Sequence, residues 1–184
     1  KAQESPFEGE PQGYATLPHA LERLGTYLDE ARQDPEQRVL YEEQVPVMED
    51  IFRYLEHFGV DLKGYVSLPT GVGKTVLFTE LVRATGLRPL VVTPSQPLVE
   101  QTEKAFGKFG GDQDVTVGKV YAGAKQADAD ITITTYASFV QHTERGDSPY
   151  IRPESYDVII LDEAHHAMSE RRQAALKKYP GTVI

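Results

Sequence analysis

The chain has 184 residues, enough for one ordinary domain with its own core, and no cysteine, which excludes disulfides and thiolate metal sites and points to a reducing, cytoplasmic setting. No apolar run approaches the roughly 20 residues of a membrane span, and the N-terminus lacks the basic-then-apolar layout of a signal peptide, so the chain reads as soluble with no membrane partner. The formal charge of -9 argues against a polyanionic partner until it is mapped: residues 1–67 carry 6 Lys or Arg against 14 Asp or Glu, and residues 68–184 carry 13 against 14. The acidity belongs to the front segment, and the nearly neutral remainder can still present a basic stripe.

Residues 1–14, KAQESPFEGEPQGY, combine Pro, Gly and Glu without an apolar period and predict a mobile lead-in with no catalytic role. From Leu17 the apolar residues Leu17, Ala20, Leu21, Leu24, Tyr27, Leu28 and Ala31 recur at three and four, one face of an amphipathic helix, opposite Glu22, Arg23, Asp29, Glu30 and Arg32. This helix, within 17–35, is read as a plain surface helix, with packing on the core or against another part of a longer protein as the competing reading. A second helix is predicted through Val45, Val47, Met48, Ile51, Phe52 and Leu55, with Pro46 in its first turn and Gly59 placed to stop it.

After Gly64 the pattern switches to short β-branched runs. Strands are predicted at 65–68, 89–93, 115–120, 131–134, 157–161 and 182–184, with helices at 76–85, 97–109 and 169–178 between them. Alternation of this kind predicts an α/β domain whose mostly parallel sheet carries helices on both faces.

Two stretches on this framework carry chemistry. SLPTGVGKT, Ser67 to Thr75, follows an apolar strand and opens a helix. In a phosphate loop, successive backbone N–H groups turn inward and a helix N-terminus points at the anion, so glycine is needed where the chain crowds the phosphates. Gly71 and Gly73 meet that need, with Thr70 and Val72 completing the cradle. Lys74 supplies a point charge to the β- and γ-phosphates, and Thr75 a hydroxyl ligand to Mg²⁺. Leu68 stands where the usual pattern has its first glycine. A solvated Gly-rich turn is the competing reading, which a second acidic motif would remove.

DVIILDEAHHA, residues 157–167, supplies that motif: an apolar strand, then Asp162 and Glu163 at its C-terminal end, where ligands gather in open α/β sheets. Asp162 is expected to hold the magnesium and Glu163 to polarise the water that attacks the γ-phosphate. His165 is read as a polar coupling residue beside the nucleotide and His166 as a cap or packing group. A zinc site is disfavoured, because cysteine is absent and His19, His57 and His142 lie far off in sequence.

With PTGVGKT followed 88 residues after its lysine by DEAH, the chain resembles the first RecA-like domain of a superfamily 2 helicase, the DEAD/DEAH-box-related nucleic-acid motors. PLVVTPSQPLVEQ (89–101) resembles motif Ia and ITITTYASFV (131–140) motif Ib. The resemblance implies nucleic-acid backbone contacts from Pro94, Ser95, Gln96, Thr134, Thr135 and Tyr136, without sequence readout and with DNA and RNA both open. VLYEEQVPVMEDI resembles the adenine-reading segment, which places Gln44 on the base, although here two glutamates separate Tyr41 from Gln44. An apolar residue at position 68 is ordinary for the family.

The resemblance covers residues 38–184, a RecA-like P-loop domain, and leaves residues 1–37 as an N-terminal helical extension. It implies an ATP-dependent helicase or translocase using ATP and Mg²⁺, and as partner a second RecA-like domain whose arginines complete the site. YPGTVI resembles the strand that leads to a Ser/Thr-Ala-Thr motif, so the chain reads as a fragment that hydrolyses ATP poorly alone. The competing readings are the translocase subunit of a restriction-type enzyme and a P-loop module that only binds nucleotide.

Overall fold

The computed structural model describes residues 17–34, 40–58, 73–109, 116–126, 129–146, 148–152, 155–179 and 182–183. The expected lead-in, Gly59 and the strand at 65–68 lie outside them. In chain order the elements are α1 (Leu17–Gln33), α2 (Val45–Phe58), α3 (Lys74–Thr85), β1 (Pro89–Thr93), α4 (Gln96–Phe109), β2 (Val117–Tyr121), β3 (Ala124–Lys125), β4 (Ile131–Thr135), α5 (Tyr136–Arg145), β5 (Val158–Leu161), α6 (Glu170–Lys177) and β6 (Thr182–Val183). Short 3₁₀ turns precede α2 at Glu42–Gln44 and follow β5 at Ala164–Met168.

The strands form one sheet in the order β3-β2-β4-β1-β5-β6, parallel except for the β2–β3 pair. β1 and β4 are buried along their whole length, as expected of parallel strands covered on both faces. Alternation divides their side chains between two layers. Leu90, Val92 and Ile159 pack against Phe139 and Val140 of α5 and Leu176 of α6. Val91, Ile133 and Ile160 pack on the other face against Val82 of α3 and Val99 and Phe106 of α4. The predicted helices and strands among the described residues are present. α5 and the two-residue β3 are additions, because Tyr136–Arg145 directly follows a strand and was absorbed into the motif Ib stretch.

α1 is not a plain surface helix. Ala20, Leu24, Leu28 and Ala31 are all buried, and Leu24 and Leu28 share a cluster with Met48, Ile51 and Leu55 of α2 and Leu77 and Leu81 of α3. Polar ties close the seam. The Tyr27 hydroxyl donates to Glu80 Oε2 at 2.7 Å, and Arg83 holds that fully buried carboxylate at 2.5 and 3.0 Å. Burial and the Glu80 charge push the Tyr27 phenol well above its ordinary value, so the phenol remains the donor. α1 therefore braces the helix that opens at Lys74. Leu24→Ala is expected to cost about 2–5 kcal/mol in urea unfolding; a loss under about 1 kcal/mol would show a loosely docked helix.

Candidate functional site

The parallel register brings three strand ends to one sheet edge. Val92 pairs with Leu161 and Thr93 with Thr135, so the residues that follow each strand leave along the same line. These are 94–96 after β1, Tyr136 after β4 and Asp162–Glu163 after β5. Chemistry collects at such an edge because backbone groups there have no further ladder partners and helix N-termini face it.

α3 supplies the cationic side. Its N-cap is Gly73 in the left-handed conformation, φ 74°, and Lys74 is its first residue. A side chain at position 73 would suffer twice: L residues disfavour that φ, and a Cβ would lie 2.8 Å from Gln44 Nε2. Gln44 is buried. Its Nε2 donates to the Gly73 carbonyl at 2.9 Å, and its Oε1 accepts from the Tyr41 amide at 2.9 Å. Gln44 thus reaches the end of the phosphate-loop stretch across 29 residues of sequence, with the exposed Tyr41 ring beside it. Thr75 is half-buried, and its carbonyl accepts from the Thr79 hydroxyl at 2.7 Å. Thr70, Gly71 and Val72 lie outside the described residues.

The charge of Lys74 reaches Asp162 of the acid pair. Asp162 is half-buried, and its amide donates to the Val92 carbonyl at 2.9 Å. Burial, with the neighbouring Glu163 charge, raises its carboxyl above the usual carboxylate range, and Lys74 pulls it back down. Asp162 thus carries two raising influences, burial and Glu163, against the lowering influence of Lys74. Glu163 is exposed and is the one non-glycine residue with positive φ among the described residues, at 51°. His165 Nδ1 lies 3.5 Å from its Oε2, and the His165 and His166 rings sit 4.3 Å apart.

The segments read as motifs Ia and Ib divide differently than their sequences suggest. Pro94 and Ser95 are partly exposed and Gln96 is exposed, and the Ser95 carbonyl accepts from Val99 N at 3.1 Å as α4 begins. By contrast, the Thr134 hydroxyl is buried and donates to the Val120 carbonyl at 2.6 Å. Thr135 caps α5, accepting from Ser138 N at 3.2 Å. Tyr136 is buried and donates to the Asp162 carbonyl at 3.1 Å. These three side chains work inside the protein, and the residues that carry them are buried. Arg172, overlooked in the sequence, lies 5.1 Å from the Tyr136 ring centroid and donates to the His166 carbonyl. No local pattern marks it, because its partners are set by tertiary packing.

Residues 37–184 match the family described as type III restriction enzyme, res subunit. Over 175 residues the chain is 26% identical to the DNA 3'-5' translocase XPB2 of Sulfurisphaera tokodaii, covering 89% of this chain and 37% of that protein. The chain therefore spans little more than a third of that curated relative's length. Among solved structures, a hypothetical ATP-dependent RNA helicase from Sulfolobus tokodaii is similar at TM-score 0.59 and 21% identity, over 86% of this chain and 49% of that one. The SWI2/SNF2 ATPase core of Sulfolobus solfataricus, solved in complex with dsDNA, gives TM-score 0.58 at 21% identity, over 80% of this chain and 31% of that one. At these identities the structures establish a shared fold.

Proposed function

The chain belongs to the family described as type III restriction enzyme, res subunit, with the fold of a helicase's first RecA-like domain, and we propose that it is the ATP-binding motor domain of a nucleic-acid translocase or helicase. The observation that carries this reading is the meeting, at one sheet edge, of Lys74 at a helix N-terminus with the half-buried Asp162. Hydrolysis of bound Mg-ATP supplies the free energy. Lys74 neutralises the β- and γ-phosphates, while Thr75 and Asp162 hold the cation. Glu163 takes the proton side of water attack, and His165, with Nδ1 3.5 Å from its carboxylate, is the polar neighbour that couples to it. Gln44, packed on Gly73, senses the adenine end. Thr70, Gly71 and Val72 are proposed to complete the phosphate cradle.

A complete site requires arginines from a second RecA-like domain of the longer protein, without which phosphoryl transfer loses roughly 10³–10⁵ in rate. The matched family and the DNA translocase among its relatives favour DNA as the polymer. Translocation along it is accordingly favoured over strand separation. Contact comes from Pro94, Ser95 and Gln96, which are partly or fully exposed at the sheet edge. Contacts of this type position the polymer without reading its sequence.

The test is fluorescence anisotropy with the full-length protein and two duplexes of unrelated sequence across a salt series. Equal affinities that fall as salt rises are expected, since phosphate contacts release counterions. Absence of binding to either duplex, or to single strands, at low salt would remove the nucleic-acid role.

A further inference from the structure

Tyr136 stands at the junction between the polymer-facing edge and the acid pair, and its geometry gives it a task that neither set of contacts includes. It opens α5 directly after β4, and its side chain is 1% exposed. Its hydroxyl donates to the Asp162 carbonyl at 3.1 Å, the oxygen of the peptide that joins Asp162 to Glu163. The preceding amide along β5's exit, that of Asp162 itself, is held by the Val92 carbonyl of β1 at 2.9 Å, and the Glu163 carbonyl accepts from His166 N at 2.9 Å. The acid pair is thus pinned from three sides, and Tyr136 is the pin that comes from the end of β4.

Pinning matters here because Glu163 has φ 51° and ψ 56°, a conformation that costs a non-glycine residue about 1–2 kcal/mol and persists only when its surroundings impose it. The clamp on Tyr136 is itself fixed. Arg172 covers the ring and also holds the His166 carbonyl in the turn that follows Glu163.

We propose that Tyr136 is a positioning residue: it ties the start of α5 to the Asp162–Glu163 peptide and so sets the orientation of Glu163. The inference rests on the motor reading above. The hydroxyl reaches the acids across 26 residues of sequence.

The test compares two phenol-to-phenyl changes in the full-length protein. Tyr136→Phe keeps the ring under Arg172 and removes only the hydroxyl. Tyr179→Phe is the matched control, since Tyr179 is equally enclosed, belongs to the same core cluster, and donates to the Tyr156 carbonyl at 2.7 Å without touching the acids. Steady-state ATP hydrolysis is measured at saturating DNA, alongside the Kd for DNA and the thermal midpoint. Tyr136→Phe is expected to lower kcat by about tenfold, about 1.4 kcal/mol, with KM for ATP and Kd for DNA within about twofold. Tyr179→Phe should lower the midpoint by a similar amount and leave kcat unchanged. DNA-stimulated turnover equal to wild type in Tyr136→Phe, or an equal fall in kcat in Tyr179→Phe, overturns the positioning role. A wild-type protein that no polymer stimulates overturns the motor reading itself, so the two failures are told apart.

Discussion

Lys74→Ala is expected to abolish detectable ATP binding by this chain. Lys74 is the first residue of α3 and, among the described residues, makes no hydrogen bond or ion pair, while its field acts on Asp162. A lysine so placed is uncommitted to the fold and available to an anion. Each hydrogen bond it makes to a phosphate oxygen is charge-assisted and worth about 1.5–3 kcal/mol, so loss of two such bonds weakens binding by about a hundredfold or more. The fold should survive, because alanine is the best helix former and the packed face of α3, Leu77 and Leu81, is untouched. Titration calorimetry with Mg-ATP checks this, with circular dichroism confirming the helices. An unchanged isotherm would sink the phosphate-loop assignment.

The second large effect separates binding from chemistry. Glu163→Gln in the full-length protein should leave the Kd for ATP within about twofold and slow hydrolysis by about 10²–10⁴. The amide has the carboxylate's shape and the same tolerance of the left-handed backbone at φ 51°, so the local geometry persists while the charge that polarises water is lost. Asp162, whose carboxyl Glu163 helps to raise, is relieved of that repulsion. Single-turnover quench experiments measure the chemical step directly. Comparable turnover in the variant would take Glu163 out of catalysis.

The sheet and most of its helices were legible because their signals are local. β1 and β4 are continuous β-branched runs bounded by Pro and Ser or by charged turns, and α3 and α4 carry apolar residues at helical spacing. The two departures share a cause. α1 carries a charged face that reads as surface, but four small or branched apolar residues spaced by three and four suffice to bury its other side against α2 and α3. α5 begins on the residue after β4 without any turn residue between them, so periodicity changes with no punctuation to announce it.

The candidate site divides along the same line. Lys74, Asp162 and Glu163 were legible because strand-to-helix and strand-end positions fix where such residues emerge. The partners of Gln44, the internal bonding of Thr134, Thr135 and Tyr136, the cover by Arg172 and the backbone conformation of Glu163 were not. The bonds of Gln44 to Gly73, Thr134 to Val120 and Tyr136 to Asp162, and the cover of Tyr136 by Arg172, join groups between 14 and 36 residues apart that only the folded sheet brings together, whereas Thr135 caps α5 locally. Hydroxyl residues at a strand end look available to a ligand in sequence; here the sheet has already used them.

One measurement bears most directly on the claim that this sheet edge couples ATP to a nucleic-acid track. Steady-state ATP hydrolysis by the full-length protein is followed with no polymer and with saturating duplex DNA, single-stranded DNA or RNA. The account predicts low turnover alone and a rise of at least about tenfold with DNA, of which Glu163→Gln retains none. Turnover that is the same with every polymer as without would contradict it.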